Sequence, residues 1–198
     1  MAGNDWGRMR ARGVVAMAIA ASMTGPAAAA AQSVTGQARA VHVSALVPTV
    51  LADTGTLSGA NDLRDAAVGM AVIPALLNGE GLHAVTLGWP DQVVSEASIG
   101  NLRLTLGLTV ISADFVGASA VADAGSSPSA STTVESLFVN GVAVAVTGAP
   151  NQRVTFPGGQ LLINQQLSSP TGITVNALRA TVLGAVDVVV ASATAGIQ

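Results

Sequence analysis

The sequence predicts an all-β protein, an antiparallel β-sandwich of two layers, on three observations. From Leu102 onward, Leu104, Leu106, Leu108 and Val110 take every second place, with Arg103, Thr105, Gly107 and Thr109 between them. Such alternation makes a strand with one face on the core and the other facing water or a partner. Asn140-Gly141 stands between Leu137 and Val139 on one side and Val142, Val144 and Val146 on the other. Asn-Gly supplies the two positive-φ residues of a type I′ turn, which predicts a hairpin. Further turn signals at Ala149–Gln152, Pro157-Gly158-Gly159 and Ser168–Gly172 recur at the interval of a sandwich.

The chain has 198 residues, of which the first 31 have the pattern of a cleaved signal peptide. Arg8, Arg10 and Arg12 precede an apolar run, Val14–Gly25, and Pro26 leads into Ala27–Ala31. An A-x-A site over Ala29–Ala31 places cleavage before Gln32. Paired arginines are absent, which favours the general secretory pathway over the twin-arginine route. The apolar run is shorter than the ~20 residues a membrane span needs, so a retained anchor is the weaker reading. Residues 32–198 are expected to form a single domain, exported to the cell surface, the periplasm or the medium, with no stable transmembrane segment.

Without residues 1–31 the chain loses Asp5 and three arginines, leaving 10 acidic and 5 basic residues and a net charge near −5. That balance argues against nucleic acid and anionic membranes as partners, because nothing could neutralise them. Cysteine is absent, which excludes a disulfide scaffold, thiolate zinc and thiol catalysis. Heavy alanine, valine and glycine use without lysine suggests a GC-rich bacterial genome. Beyond residue 31 the aromatic residues are Trp89, Phe115, Phe138 and Phe156, so Val, Leu, Ile and Ala must fill the core. Scarce aromatics also weaken a carbohydrate-binding reading.

Taken in order, Ala38–Leu46 alternates, with Val41, Val43 and Ala45 on one face and Ala40, His42 and Ser44 on the other. Pro48 closes that strand, and residues 52–65 read as a polar loop. Strands follow at Val68–Ile73 and Leu82–Leu87, joined by an Asn78-Gly79-Glu80-Gly81 turn. Gly107 suggests a bulge or close backbone approach within the Leu102 strand. Ala124–Thr132 is a Ser/Ala-rich linker. The two runs Asp114–Ala120 and Asp187–Ala193 resemble each other, as a weak repeat or as convergence of simple strands. The last strands are Arg153–Phe156, Gln160–Leu167, Ile173–Leu183 and Ala185–Ala193.

Candidate chemistry is sparse. His42 and His83 lack a second ligand at useful spacing and are expected to be surface or second-layer residues rather than metal ligands. Asp53-Thr54-Gly55 has the local look of an aspartic-protease loop, but its only echo, Asp123-Ala124-Gly125, lacks the hydroxyl residue, and ordinary turn chemistry explains it. Asn61, Asp62 and Asp65 lack the spacing and glutamate of a calcium loop. No G-x-S-x-G elbow appears. Arg103, Asp114, Arg179 and Asp187 are expected near strands, pairing between layers. No catalytic, cofactor-binding or metal-binding residue is assigned, and no cofactor is expected.

The order Asn140-Gly141-Val142, Ala149-Pro150-Asn151, Pro157-Gly158-Gly159, a strand ending in Asn164-Gln165-Gln166, and Val175-Asn176-Ala177-Leu178 resembles the choice-of-anchor P family of bacterial exported all-β domains. The resemblance covers most of residues 34–194 and is strongest from Val134 onward. It implies a β-sandwich and no assigned activity. Members often carry Asn-Glu-Gln where this chain has Asn164-Gln165-Gln166, and His where it has Ala180; neither departure touches assigned chemistry. The chain stops at Gln198 without a sorting motif, which points to a domain released or held non-covalently.

The expected function is therefore that of an exported structural or surface-interaction protein without catalytic activity. It would bind an unidentified protein or cell-envelope partner through a sheet edge or face. Self-association is also expected, through flat strands with few charges such as Ala185–Ala193. The alternatives are a secreted binder of a small ligand or metal ion, using Asp53, Asp62, Asp65 or His83, and a hydrolase using His42 or His83.

Overall fold

Strands begin wherever the two-residue alternation of apolar and polar side chains begins, and both layers of the sandwich are built from such runs. The computed structural model describes residues 32–45, 47–182 and 186–198; the expected signal peptide, residues 1–31, lies outside them, as do Leu46 and Leu183. One sheet, sheet A, contains β1 (Val34–Ser44), β2 (Thr49–Asp53), β10 (Gln152–Phe156), β11 (Gly159–Ser169), β12 (Gly172–Val182) and β13 (Val186–Ile197). Their order across the sheet is β10-β11-β12-β13-β1-β2. Sheet B contains β3 (Leu63–Ile73), β4 (Leu77–Gly88), β5 (Gln92–Leu106), β6 (Thr109–Asp123), β7 (Ser129–Glu135), β8 (Phe138–Val139) and β9 (Val142–Ala143). It runs β3-β4-β5-β6-β8-β9, with β7 also beside β6. Every pairing is antiparallel. No helix of the described residues is long and apolar enough to cross a membrane.

The core between the sheets is aliphatic, as the composition requires. Val41, Val43, Leu161, Ile163 and Leu178 from sheet A meet Leu77, Leu82, Ile99, Leu104 and Ile111 from sheet B, all buried; among the described buried hydrophobic residues the one aromatic ring is Phe156. The sheets approach closely at Gly36, where an added Cβ would lie 2.5 Å from Thr86 Oγ1. Thr86 and Ser95 hydroxyls, both buried, satisfy each other at 2.6 Å.

Each sheet is broken along one line. In sheet A the line runs through Asn164 of β11, Ala177 of β12, Ala191 of β13, Ala40 of β1 and Ala52 of β2, with Asn151 just before β10. Asn151, Asn164, Ala191 and Ala52 have left-handed φ values of 60°, 53°, 51° and 48°. The ladder pairs immediately on either side of this line are in register, for example Arg39 with Ser192 and Val41 with Val190. A left-handed residue interrupts the pleat, so inward and outward positions exchange across it. Thus Val34, Gly36, Ala38 and Ala40 are buried on one side of the crease, and Val41 and Val43 on the other. Sheet B is creased likewise at Gly81 (φ 57°), Asn101 (φ 48°) and Ser136 (φ 53°), with Asp114 between the last two. β7 and β8 are the two halves of one path along β6, divided at Ser136.

The Asn140-Gly141 hairpin forms as expected, with φ 52° and 77°, although its strands β8 and β9 are only two residues each. Other expectations need correction. Asn78-Gly79-Glu80-Gly81 is not a turn but lies inside β4, and the chain reverses at Pro74–Leu76 instead. Gly79 is there because a Cβ would run into Ile99, and Gly81 because it carries the crease. Gly107 is not in mid-strand; with φ 62° it makes the β5–β6 turn, leaving Leu108 fully exposed. The apolar alternation simply continues through the turn. Ala124–Thr132 is no linker between halves, since its second part is the start of β7, hydrogen-bonded to β6. Thr49–Asp53 is an additional strand, and Asn164-Gln165-Gln166 lies within β11 rather than at its end.

The flat strand expected as an associating edge, Ala185–Ala193, falls largely within β13, which is paired on both sides by β12 and β1. The two similar runs also occupy different places. Asp114 lies on the crease of sheet B, whereas in β13 the crease falls at Ala191 and not at Asp187. Their likeness is therefore one of composition and not of position.

Candidate functional site

The crease shapes the outer face of sheet A. Ala40, Ala177 and Ala191 turn into the core and are buried, so no side chain rises above the middle of the sheet along that line. On one bank stand Arg39, Ser192 and Asn176, consecutive partners across β1, β13 and β12; on the other stand His42, Val189 and Arg179, again consecutive partners. With Gln37, Ser44, Thr174, Asp187 and Thr194 they line a trough of about 330 Å³.

Its charges are held in place. Arg39 Nε donates to Asp53 Oδ2 at 2.9 Å, and Gln37 Nε2 donates to Asp53 Oδ1 at 2.9 Å. Arg179 forks onto Asp187, with Nε 3.1 Å from each carboxylate oxygen and Nη2 2.6 Å from Oδ2. Both arginines are about a third exposed, at 34% and 35%, so each pair contributes only about 0–1 kcal/mol. The pairs therefore orient guanidinium groups more than they stabilise the fold. Arg39 uses only Nε toward Asp53, which leaves its Nη groups as donors. Two arginines and two aspartates balance the trough electrically.

An amide network supports one bank. Asn176 Nδ2 donates to Gln165 Oε1 at 2.8 Å, Gln166 Nε2 to Asn164 Oδ1 at 3.0 Å, and Asn164 Nδ2 to the carbonyl of Gly148 at 2.9 Å. Asn164, Gln165 and Asn176 are buried, and each has a partner, as buried polar groups must. The motif residues Asn151, Asn164, Gln165, Gln166 and Asn176 thus hold the crease and tie the chain arriving from β9 to sheet A.

The two histidines stand apart. His42 is in the trough, while His83 lies on the outer face of sheet B, in a depression of about 250 Å³ with Glu96, Ser98, Phe115 and Ser131. Asp53-Thr54-Gly55 is a turn: Gly55 N donates to Asp53 Oδ1 at 2.9 Å and Thr54 Oγ1 to the carbonyl of Ala38 at 3.3 Å. Asp123 is in the other sheet, accepting from Gln92 Nε2. Asp62 accepts from Ser58 N and Oγ and pairs with Arg64, whereas Asp65 is exposed on β3, so Asn61, Asp62 and Asp65 do not converge on a cation. The expected pairing of charges between layers is corrected: Arg179 and Asp187 pair within sheet A, on neighbouring strands, because the aliphatic core offers charges no path between sheets. Among the described residues Arg103 and Asp114 make no ion pair.

Arg39 was not singled out by the sequence, and Asn176 only as part of the Val175-Asn176-Ala177-Leu178 motif. Strict alternation puts Arg39 on the Val41 face and Asn176 opposite Arg179; the crease brings Arg39 to His42's side and Asn176 to Arg179's. A left-handed alanine leaves no mark in a sequence.

Hydrogen bonds decide the acid behaviour. Burial pushes the Asp53 carboxyl up, but the Gly55 N–H, Gln37 and Arg39 outweigh it and hold it below its ordinary value. The Ser58 N–H, with Arg64 and the Ser58 hydroxyl, holds Asp62 well below the carboxylate range. A folded-state pKa below the unfolded value of about 3.9 contributes stability that is present above that pH and is lost as pH falls through the folded value. Asp53→Asn should therefore narrow the gap between the urea midpoints at pH 7 and pH 3 without closing it, because Asp62 still titrates. An unchanged gap would remove Asp53 from this account.

Fold and trough define a class: a creased, two-sheet antiparallel β-sandwich with a polar outer face. No family model, no curated protein and no solved structure matches the chain.

Proposed function

We propose that the chain is an exported bacterial structural or surface-interaction protein without catalytic activity, related to the choice-of-anchor P domains, which meets its partner in the trough of sheet A. The observation that carries this reading is the arrangement of the trough itself. Oriented arginines, a histidine, amides and hydroxyls from β1, β12 and β13 stand on an open, electrically balanced face, and the Nη groups of Arg39 are left as donors. Such a surface recognises by hydrogen bonding and gains specificity from geometry more than from net charge. Its volume also supports a second reading, a secreted binder of a small polar ligand.

The test is to fractionate the native bacterium and determine the mature N-terminus and mass in each fraction, for the parent and for Arg39→Ala/Arg179→Ala. The expected result is a species beginning at Gln32, held in the envelope and released by salt, with the double variant shifted to the soluble fraction. Thermal stability of the variant should change by no more than about 1 kcal/mol per pair. A parent species that is freely soluble, and whose melting temperature rises with a small polar compound, would favour the second reading; a retained Met1 would overturn export.

A further inference from the structure

The two ends of the sandwich differ in chemistry. Ser44 pairs with Asp187 and Gly159 with Val182, which places the β1–β2 and β10–β11 turns at one end of sheet A. Leu77 pairs with Leu104, Leu106 with Thr109 and Ile111 with Val139, which places the β3–β4, β5–β6 and β8–β9 turns at one end of sheet B. These ends coincide, because the far end of β1 at Gly36 packs on Thr86 and Val93, where β4 finishes and β5 begins. The described residues of these five turns carry no charge: Val47-Pro48, Pro74-Ala75-Leu76, Gly107-Leu108, Asn140-Gly141 and Pro157-Gly158. The opposite end holds Asp62, Asp91 and Asp123 in or beside its loops.

Three aliphatic side chains protrude at or beside the uncharged tips: Leu108 is fully exposed, Val47 is 74% exposed and Val142 69%. They stand on separate hairpins. Strands lie roughly 4.8 Å apart and layers roughly 10 Å, so neighbouring tips are roughly 10 Å from one another. A folded partner would need three separate sockets to receive them, whereas a fluid apolar surface closes around each. Asp62, Asp91 and Asp123 lie at the other end, Asp187 at this end is paired with Arg179, and lysine is absent, so the end that can approach is electrically balanced and suits a neutral headgroup layer rather than an anionic one.

We propose that this end of the sandwich seats shallowly in a zwitterionic lipid surface, with Val47, Leu108 and Val142 entering the interface. The site is separate from the trough and does not depend on it. Insertion is of side chains and turns only, which is compatible with strands whose backbone groups are already paired.

The chain has no cysteine, so a single one can carry a polarity-sensitive dye without competition. Full-length Leu108→Cys and, separately, Ser126→Cys, which lies beside Gln32 at the opposite end, are labelled and mixed with phosphatidylcholine vesicles. The label at position 108 should brighten and shift to the blue while that at position 126 does not. Val47→Asp/Val142→Asp in the Leu108→Cys background should reduce vesicle partition by roughly tenfold or more. Each substituted residue is exposed, and an unchanged circular-dichroism melt confirms folding. Brightening at position 126 alone would assign lipid binding to the N-terminal segment, brightening at 108 with protein concentration and no vesicles would assign the end to a second copy, and no change would leave no insertion; each overturns the proposal.

Discussion

Valine in place of Ala191 is expected to lower the unfolding free energy by about 3 kcal/mol or more, while glycine at the same position should raise it by up to about 1 kcal/mol. Ala191 is buried and left-handed at φ 51°. An L-residue pays about 1–2 kcal/mol for that conformation, and a β-branched one pays more. The two added methyl groups must also enter a packed layer, at about 1–3 kcal/mol. Glycine relieves the strain and gives part of the gain back as chain entropy. Urea denaturation of both variants checks the signs: a valine variant as stable as the parent would mean that the crease does not pass through this residue in the way described.

Gly36→Val should be of similar size for a different reason. Its Cβ alone would lie 2.5 Å from Thr86 Oγ1, 2.7 Å from Leu57 Cδ1 and 2.9 Å from Val93 Cγ1. Moving Thr86 breaks its bond to Ser95 and leaves buried hydroxyls without partners, at about 1–3 kcal/mol, on top of about 1–3 kcal/mol of overpacking. Gly36→Ala should lie between the parent and the valine variant. Equal denaturation midpoints for parent and valine variant would show that the sheets have room here.

The layers and most strands were legible because alternation is what builds them. Val41 and Val43, or Leu102, Leu104 and Leu106, declare an inward face, and Asn140-Gly141 declares its turn. What alternation cannot declare is the place where it inverts. Asn101, Asn151 and Asn164 are residues that tolerate the left-handed region, but Asn also serves ordinary turns, and Ala52 and Ala191 give no signal at all. Every misplacement of a polar residue in the trough follows from that: Arg39 and His42, or Asn176 and Arg179, are three apart and share a face only across a crease. The glycines misled for a related reason. Gly79 and Gly81 look like a turn because the sequence does not distinguish a glycine that reverses the chain from one that admits Ile99 or exchanges the faces of a strand.

The creases bear finally on fibril formation. A lysine-free chain with aliphatic strands has few charges to repel its own copies, and a stacked cross-β array needs about six or seven consecutive residues of unbroken pleat. β2 and β10 are five residues long and β9 two. β3 is the long unpaired border at eleven, and its inward and outward positions exchange between Val68 and Ala71, with Gly69 and Met70 both exposed. A regular strand laid along it can match the pleat on one side of that point and must present the wrong face on the other. The same kind of irregularity that opens the trough thus divides the longest border of the sandwich, and leaves the six residues Leu63–Val68 and the seven of β7, which is paired only to β6, as the longest regular borders a growing array could meet.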